Sequence, residues 1–193
     1  MADGKIANPT ALGLVTFGIV VILFSMFPVG LTNMNGLLFG TFVFTGGFAF
    51  VFVGIFKFLI DDAYGATVFS AFGFMLLSFG VFVLGCVYTN SCPGPSTASF
   101  VGWWFFLWGL FSLLSFIAGN MGKKPVMLQI ALLLFAIELI LIGIAYWTAS
   151  SAGPATGLMS LGGIIGIIAG IAAFYTAWGV FLNSTAGKKV LPI

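Results

Sequence analysis

Charged residues are so sparse in this chain that they limit what it can fold into. Only 5% of its 193 residues are charged, and 61% are hydrophobic. A soluble domain usually carries about 25% charged residues, so polar side chains could not cover the surface of this chain in water. We therefore expect an integral membrane protein that is surrounded by the lipid bilayer.

The few charges divide the chain into three long apolar blocks. The blocks hold 51, 60 and 63 residues, and they lie between Lys5 and Lys57, Asp62 and Lys123, and Lys124 and Lys188. One membrane helix needs about 20 apolar residues, so each block has room for two helices and a turn. Strong turn residues stand near the middle of the blocks at Pro28, Pro93 and Pro154.

This spacing predicts an all-α integral membrane protein with six transmembrane helices in a single domain covering residues 1–193. The predicted spans are 9–26, 36–58, 64–88, 99–119, 125–147 and 156–182. We expect the apolar run from Ala11 to stay in place as the first span, and not to be a cleaved signal peptide.

The lysines predict how the helices cross the membrane. Every lysine falls at a boundary between blocks or near a terminus, and none falls in a turn within a block. The positive-inside rule then places both termini and the two block boundaries in the cytoplasm. The six helices would form three hairpins that share one orientation in the cell membrane.

The composition argues against several classes of function. The chain has no His, no paired-acid site and no thiol–base pair, so we expect neither an enzyme nor a metal site. No nucleotide-binding loop is present, which argues against ATP-driven transport within this chain. The scattered positive charges give no basic patch for nucleic acid, and no cofactor is expected.

The two cysteines leave two interpretations open. Cys86 and Cys92 flank a short loop between two predicted spans. They are either one small core residue and one loop residue, or a disulfide across an extracytoplasmic loop in an oxidising compartment.

An Asn-Pro pair stands where the first span begins. With Pro9 at the first helical position, Asn8 is suited to cap the helix. This is either an ordinary helix start or a site for a carboxylate, because a helix N-terminus carries unpaired N–H groups and a partial positive charge.

Four stretches of the chain resemble a known family. They are NPTALGL at 8–14, YGATVFSAFG at 64–73, LQ at 128–129 and KVLPI at 189–193. They are similar to the NPAPLGL signature, the FGATAF-x-SYG stretch, a Leu-Gln pair and the VLPI tail of the acetate uptake transporter family, which includes the succinate-acetate permeases. The resemblance implies a six-helix protomer, a homo-hexamer, and a pore for small carboxylates in each protomer.

The resemblance also implies the residues that would form the pore. The narrowest point would lie at Phe17, Phe72 and Phe135, where the family more usually has Tyr and Leu at the latter two. Three phenyl rings without a phenolic hydroxyl would select the substrate more by excluding water. The alternative is that these phenylalanines are ordinary packing residues. The motif positions at the entrance and in substrate binding would be Asn8, Pro9, Thr10, Leu14, Tyr64 and Gln129.

Two further charged features do not come from the resemblance. Glu138 lies about ten residues inside the fifth predicted span, where a charge is costly. It is either protonated, in a role linked to proton movement, or hydrogen-bonded within helix packing. Lys57 and the Asp61-Asp62 pair are expected to form a solvated cytoplasmic loop with local pairing of the charges.

A channel or carrier for acetate and related short carboxylates, such as succinate, fits these features. Two alternatives stay open from the sequence: a structural multispan membrane protein, and a channel for small neutral solutes. An aquaporin-type channel would need two Asn-Pro half-helices, whereas the chain has one Asn-Pro, at the start of the first helix.

Overall fold

In the computed structural model, the described residues are 7–89, 95–148 and 156–193. They form six helical segments and contain no β-strand. The helices are α1 (Thr10–Met26), α2 (Gly36–Leu59), α3 (Ala63–Thr89), α4 (Pro95–Met121), α5 (Val126–Trp147) and α6 (Thr156–Ala186). The turn residues Pro93 and Pro154 lie outside the described residues.

Five of the helices, α2 to α6, are long and apolar enough to cross a membrane. The first helix, α1, is equally apolar but has 17 residues, which corresponds to a length of about 25 Å at 1.5 Å per residue. These features confirm the coarse prediction of an all-helical, multi-pass membrane protein.

The second helix is irregular in a way that the sequence analysis did not predict. Its residues Thr41–Phe48 form a π-helix between two α-helical parts, Gly36–Gly40 and Ala49–Leu59. The side chain of Asn35 caps its beginning by accepting a hydrogen bond from the Leu38 N–H at 3.0 Å. The wider turns of this segment include Gly46 and Gly47, which pack closely on Leu76 and Leu77 of α3.

The six helices form a closed ring in chain order. Each helix packs beside the next one in the sequence, and α6 returns to pack against α1. The contact between α3 and α4 is the sparsest of the six. Because every helix has two neighbours in the ring, the inward faces of the helices surround a common axis.

Facing glycines bring three pairs of neighbouring helices into close backbone contact. A β-carbon on Gly18 would lie 2.9 Å from the Gly170 carbonyl oxygen, and one on Gly102 would lie 2.9 Å from that of Gly143. One on Gly73 would lie 3.1 Å from the Gly47 oxygen. Small residues allow such approach in a membrane, where lipid offers no hydrophobic drive for helix association.

The glycine stripe at four-residue spacing on α6 packs within the chain. Gly162 and Gly166 lie against α5, and Gly170 lies against α1. In contrast, Gly36 and Gly40 on α2 have open space where a β-carbon would stand. Spacing alone could not distinguish these two environments.

Candidate functional site

A cavity opens at the end of the ring that carries the lysines. Its volume is about 230 Å³, which is room for several water molecules at about 30 Å³ each. Most of its wall is apolar and comes from Leu14, Phe17, Phe50, Val68, Phe69, Phe72, Leu128, Leu132 and Val180. Polar side chains stand at its mouth: Asn8, Thr10, Lys57, Asp62, Tyr64 and Lys124.

Phe17 and Phe72 form the inner end of this cavity, and Phe135, which is not part of the cavity wall, packs against both. Phe17 of α1 lies with its ring centroid 6.0 Å from that of Phe72 on α3 and 5.1 Å from that of Phe135 on α5. The Phe72 and Phe135 centroids are 5.6 Å apart. All three side chains are buried. Of the many phenylalanines in the chain, the three chosen by resemblance thus contact one another on alternate helices.

A second layer of phenylalanines lies beyond the first. Phe24 and Phe79 each stand seven residues after a member of the first group, and their centroids are 5.4 Å apart. Phe42 and Phe105 complete the layer, with centroids 5.0 and 5.5 Å from that of Phe79. These four side chains line a space of about 20 Å³, which Phe135 of the first layer also lines. Its volume is close to what one water molecule needs.

Asn8 stands at the mouth and makes three hydrogen bonds through one oxygen. Its Oδ1 accepts from the Thr10 N–H at 3.1 Å, from Thr10 Oγ1 at 2.5 Å and from Lys57 Nζ at 2.9 Å. The helix begins at Thr10, with Pro9 as its N-cap residue. Asn8 therefore sits one residue before the observed N-cap, so the predicted cap position was wrong by one residue, although the Asn8 side chain still binds a free N–H of the first turn.

Lys57 is not in a solvated loop, which corrects the expectation from the sequence. It lies in the last turn of α2, and its side chain is 4% exposed. Its Nζ lies 2.9 Å from Asp62 Oδ2, and Lys124 Nζ lies 3.3 Å from Asp62 Oδ1. The expected local pairing is present between Lys57 and Asp62. Lys57 also donates to Asn8, 49 residues away in the sequence, and local spacing does not predict such a contact.

Asp62 holds this cluster together and begins the next helix. Its Oδ1 also accepts from the Gly65 N–H at 3.0 Å, in the first turn of α3. Burial alone would raise the pKa of Asp62, but the bonds from Lys57 and Gly65 and the charges of Lys57 and Lys124 lower the pKa from 3.8 to about 2. Asp62 is therefore ionised at any physiological pH.

Tyr64 and Gln129 take different positions near the mouth. The Tyr64 hydroxyl donates to the Ser115 carbonyl at 3.1 Å, and Lys124 Nζ lies 4.9 Å from the centre of the Tyr64 ring. Gln129 is buried beside Gly119 and outside the cavity wall, and its amide has no hydrogen-bond partner among the described residues. Pro9 is likewise outside the lining, whereas Thr10 and Leu14 are part of it.

Glu138 lies between helices and away from the described cavity wall. Its side chain has no exposed surface, and its carboxyl packs against Gly166 of α6. Ser25 Oγ of α1 is 2.6 Å from Glu138 Oε1 and also 2.6 Å from the Val21 carbonyl oxygen. A hydroxyl has one hydrogen to donate and a carbonyl can only accept. Both contacts are hydrogen bonds if Ser25 donates to the Val21 carbonyl oxygen and a protonated Glu138 donates to Ser25 Oγ.

Cys86 is buried on α3, while Cys92 lies outside the described residues. Neither interpretation of the two cysteines, separate residues or a disulfide, is therefore tested.

Two groups that shape this site do not follow from the sequence predictions. The sequence predicts Lys57 and Asp62 in a solvated loop and Lys124 at a boundary between blocks, and it assigns none of the three to the site. The second aromatic layer had a sequence signal: phenylalanines seven residues apart, at 17 and 24 and again at 72 and 79, lie on one face of a helix two turns apart.

Comparison with known proteins agrees with this architecture. The succinate-acetate/proton symporter SatP of Escherichia coli K12 is 31% identical over 194 residues, covering 100% of this chain and 98% of the relative. An uncharacterized protein of Methanothermobacter thermautotrophicus is 29% identical over 202 residues, covering 97% of this chain and 91% of that protein.

A solved structure described as that of the bacterial acetate channel SatP superimposes with a TM-score of 0.86 at 31% identity. The match covers 98% of this chain and 99% of that one. Residues 1–192 match the GPR1/FUN34/yaaH family over nearly the whole chain. This confirms the resemblance found in the sequence motifs, and the chain belongs to the GPR1/FUN34/yaaH family.

Proposed function

We propose that the protein carries acetate and related short carboxylates, including succinate, across the cell membrane through a pore in each protomer. The observation that carries the proposal is the cavity with two lysines at its mouth and an apolar wall that ends at Phe17 and Phe72, against which Phe135 packs. The names of the relatives support the choice of substrate. The lysines favour an anion over a small neutral solute.

The proposed path runs along the axis of the helix ring. A carboxylate would enter at the lysine end, pass Leu14 and reach the rings of Phe17, Phe72 and Phe135. Phenyl rings in mutual contact exclude water and hydrated ions, as hydrophobic constrictions in channels do. We assign Asn8, Thr10 and Tyr64 to the entrance, and we keep Pro9 and Gln129 as residues that shape it from outside the cavity wall.

The second layer at Phe24 and Phe79 would act in series with the first. A substrate that passes the first rings meets a space of about 20 Å³, so both layers must move for conduction. We therefore propose two constrictions, with the first selecting the substrate and the second keeping the path closed at rest.

We propose that movement is linked to protons, as the name of the Escherichia coli relative states for that protein. Because the Glu138 carboxyl lies outside the described cavity wall, we assign Glu138 to helix packing. The proton would then travel with the substrate or along another route.

The membrane arrangement is also part of the proposal: six spans as three hairpins of one orientation, with both termini and the lysine end in the cytoplasm. Cysteines introduced at Lys123 and at Asn33, one at a time in a chain lacking Cys86 and Cys92, test this. The first should resist impermeant thiol reagents added outside intact cells, and the second should react. The reverse pattern would overturn the orientation.

We further propose a homo-hexamer in which each protomer keeps its own pore. Native mass spectrometry of the detergent-solubilised protein should give six times the 20.3 kDa chain mass. A fully active monomer would contradict the hexamer and leave the pore proposal intact.

The function itself is tested by flux of labelled acetate into liposomes that hold the purified protein. Uptake should exceed that of empty liposomes, should be reduced by unlabelled succinate, and should increase when the outside is made acidic. Absence of acetate uptake in well-reconstituted protein would overturn the proposal. Uptake without any response to the pH gradient would remove proton linkage only.

A further inference from the structure

We propose that Lys57 and Lys124 form a binding site for the carboxylate group of the substrate at the cavity mouth, and that Asp62 keeps the affinity of this site moderate. This deepens the proposed function and rests on it. Neither lysine belongs to the motifs that carry the family resemblance, so the site is argued from the geometry of this chain.

The first step is the charge of the cavity. Three charged side chains line it, Lys57, Asp62 and Lys124. They carry two positive charges and one negative charge, because the low pKa of Asp62 keeps its carboxylate ionised. One positive charge therefore lacks a counter-charge in the cavity lining. Two partly buried positive charges that share one negative charge are incompletely neutralised, which is costly, and an anion bound at the mouth would relieve that cost.

The second step is the supply of hydrogen-bond donors. Each lysine ammonium has three N–H donors. Lys57 uses two of them, toward Asn8 and Asp62, and Lys124 uses one toward Asp62, among the described residues. The donors that remain belong to two ammonium groups held on the same carboxylate. A substrate carboxylate could accept from both at once.

The third step is the position of Lys57. Its side chain is 4% exposed, whereas that of Lys124 is 30% exposed. Water and salt screen the buried charge less, so Lys57 should contribute more to binding. Lys124, the more exposed lysine, lies over the ring of Tyr64. An anion that enters the cavity from solvent would meet it first.

Asp62 has a role that follows from transport itself. A transported ion must bind well enough to enter and weakly enough to leave. Two lysines without Asp62 would hold a carboxylate tightly at the mouth. Because Asp62 already occupies one donor of each lysine, it weakens the pull on the substrate and fixes the two ammonium groups in place.

The test compares four charge-neutralising variants that form two matched pairs. Lys57→Gln removes a charge in the cavity, and Lys123→Gln removes the same charge from an exposed lysine outside it. Asp62→Asn removes the negative charge of the cluster but keeps an acceptor for the Gly65 N–H. Asp61→Asn removes the same charge from an exposed neighbour outside the cavity lining. Binding of acetate to purified protein and acetate flux in liposomes are both measured, at constant ionic strength with chloride as the replacement anion.

We expect Lys57→Gln to weaken acetate binding by about tenfold or more, since a hydrogen bond to a charged group is lost. The KM for flux should rise while the flux at saturating acetate changes little. Lys57→Arg should restore much of the affinity. Asp62→Asn should bind acetate more tightly and release it more slowly, so that the saturating flux falls. Lys123→Gln and Asp61→Asn should match the wild type.

If Lys57→Gln fails to fold, Lys124→Gln serves instead, because its side chain is more exposed and makes a single ion pair in the described part of the chain. Wild-type affinity and KM in a folded Lys57→Gln or Lys124→Gln protein would overturn the site while leaving acetate transport intact. If the wild type binds acetate, Lys57→Gln weakens that binding, and the wild type shows no acetate flux, then the binding site is retained and the transport proposal is overturned.

Discussion

The carboxyl group of Glu138 on α5 lies directly against the backbone of Gly166 on α6, where any other residue would place its β-carbon. Ser25 of α1 reaches the same carboxyl at 2.6 Å. Three helices of the ring therefore meet at one buried acid. An acid in a membrane helix usually faces a water path or another polar group, and here its described neighbours are a serine and a glycine.

This contact predicts the effect of adding one methyl group. Gly166→Ala forces the Glu138 carboxyl to move, and overpacking of this kind costs about 1–3 kcal/mol. The unfolding temperature in detergent should fall. Gly157→Ala on the same helix is the matched control, since open space surrounds its position, and it should leave the temperature unchanged or raise it.

A double variant separates the contact from general disruption of α6. Glu138→Ala creates the room that the methyl group needs, so Gly166→Ala should cost less in that background. If the two losses simply add, the two residues are not coupled and the packing account of Glu138 is wrong.

The protonation of Glu138 gives a separate prediction. Glu138→Gln keeps a side-chain donor for Ser25, so its stability and its acetate flux should stay close to those of the wild type. The response of flux to a pH gradient should also persist, because we assign Glu138 to packing. A folded Glu138→Gln protein that transports acetate without any response to the gradient would make Glu138 the proton-linked group.

The two aromatic layers predict that one substitution opens the path only in part. Replacing Phe72 with Ala widens the first constriction but leaves Phe79 in contact with Phe24 and Phe105. Flux should rise more, and larger carboxylates should pass, when Phe72→Ala is combined with Phe79→Ala.

Stability limits this experiment, since Phe→Ala in a packed core costs about 3–5 kcal/mol. Recovery of folded protein must therefore be measured for each variant. Phe44→Ala, at a largely exposed ring on α2, is the control for lost aromatic surface. Equal flux and size selectivity in the single and double variants would show that the second layer is ordinary packing.

Asp62 predicts how the stability of the protein depends on pH. Its pKa is about 2 in the folded protein, against an ordinary 3.8. The folded state therefore binds the proton more weakly than the unfolded state does, and ionised Asp62 stabilises the fold above about pH 4. That contribution is lost as the pH falls from about 4 toward 2.

The measurement is the difference in unfolding temperature between the wild type and Asp62→Asn across this range. The difference should be constant near neutral pH and should shrink below about pH 4. The difference in unfolding temperature between the wild type and Asp61→Asn should not shrink in this way. A difference that stays constant down to about pH 2 would contradict the role of Asp62 in the cluster.

Much of the helical architecture could be predicted because it follows from the lipid environment. The gaps between charges allow a fixed number of apolar spans, and helices must satisfy their own backbone in lipid. The gaps between charges do not predict the π-helical turns of α2, which place Gly46 and Gly47 against α3.

The candidate site was less predictable for a similar reason. Phenylalanine is so common here that spacing could not choose Phe17, Phe72 and Phe135, and family resemblance selected them. Lys57 is buried and donates a hydrogen bond to Asn8, 49 residues away in the sequence, and no local pattern encodes this contact.

The last prediction concerns Asn8, whose side-chain oxygen joins the first turn of α1 to Lys57. Asn8→Ala removes both bonds, and losing such an acceptor at a helix start costs about 0.5–2 kcal/mol. A six-helix ring should survive this loss, so folded protein should be recovered. Asn8→Asp keeps the acceptor for the Thr10 N–H but adds a negative charge beside Lys57.

Asn8→Asp should therefore be the more stable of the two variants and the poorer transporter. Asn8→Asp should be as stable as the wild type or more so, because it gains an ion pair with Lys57. It should transport acetate with a higher KM than Asn8→Ala does, because the new carboxylate neutralises the lysine that the substrate would use. Flux kinetics and unfolding temperatures of the three proteins provide the measurement. If Asn8→Asp is well folded and has the wild-type KM, the negative charge has no effect on the substrate, and Asn8 serves only to start the helix.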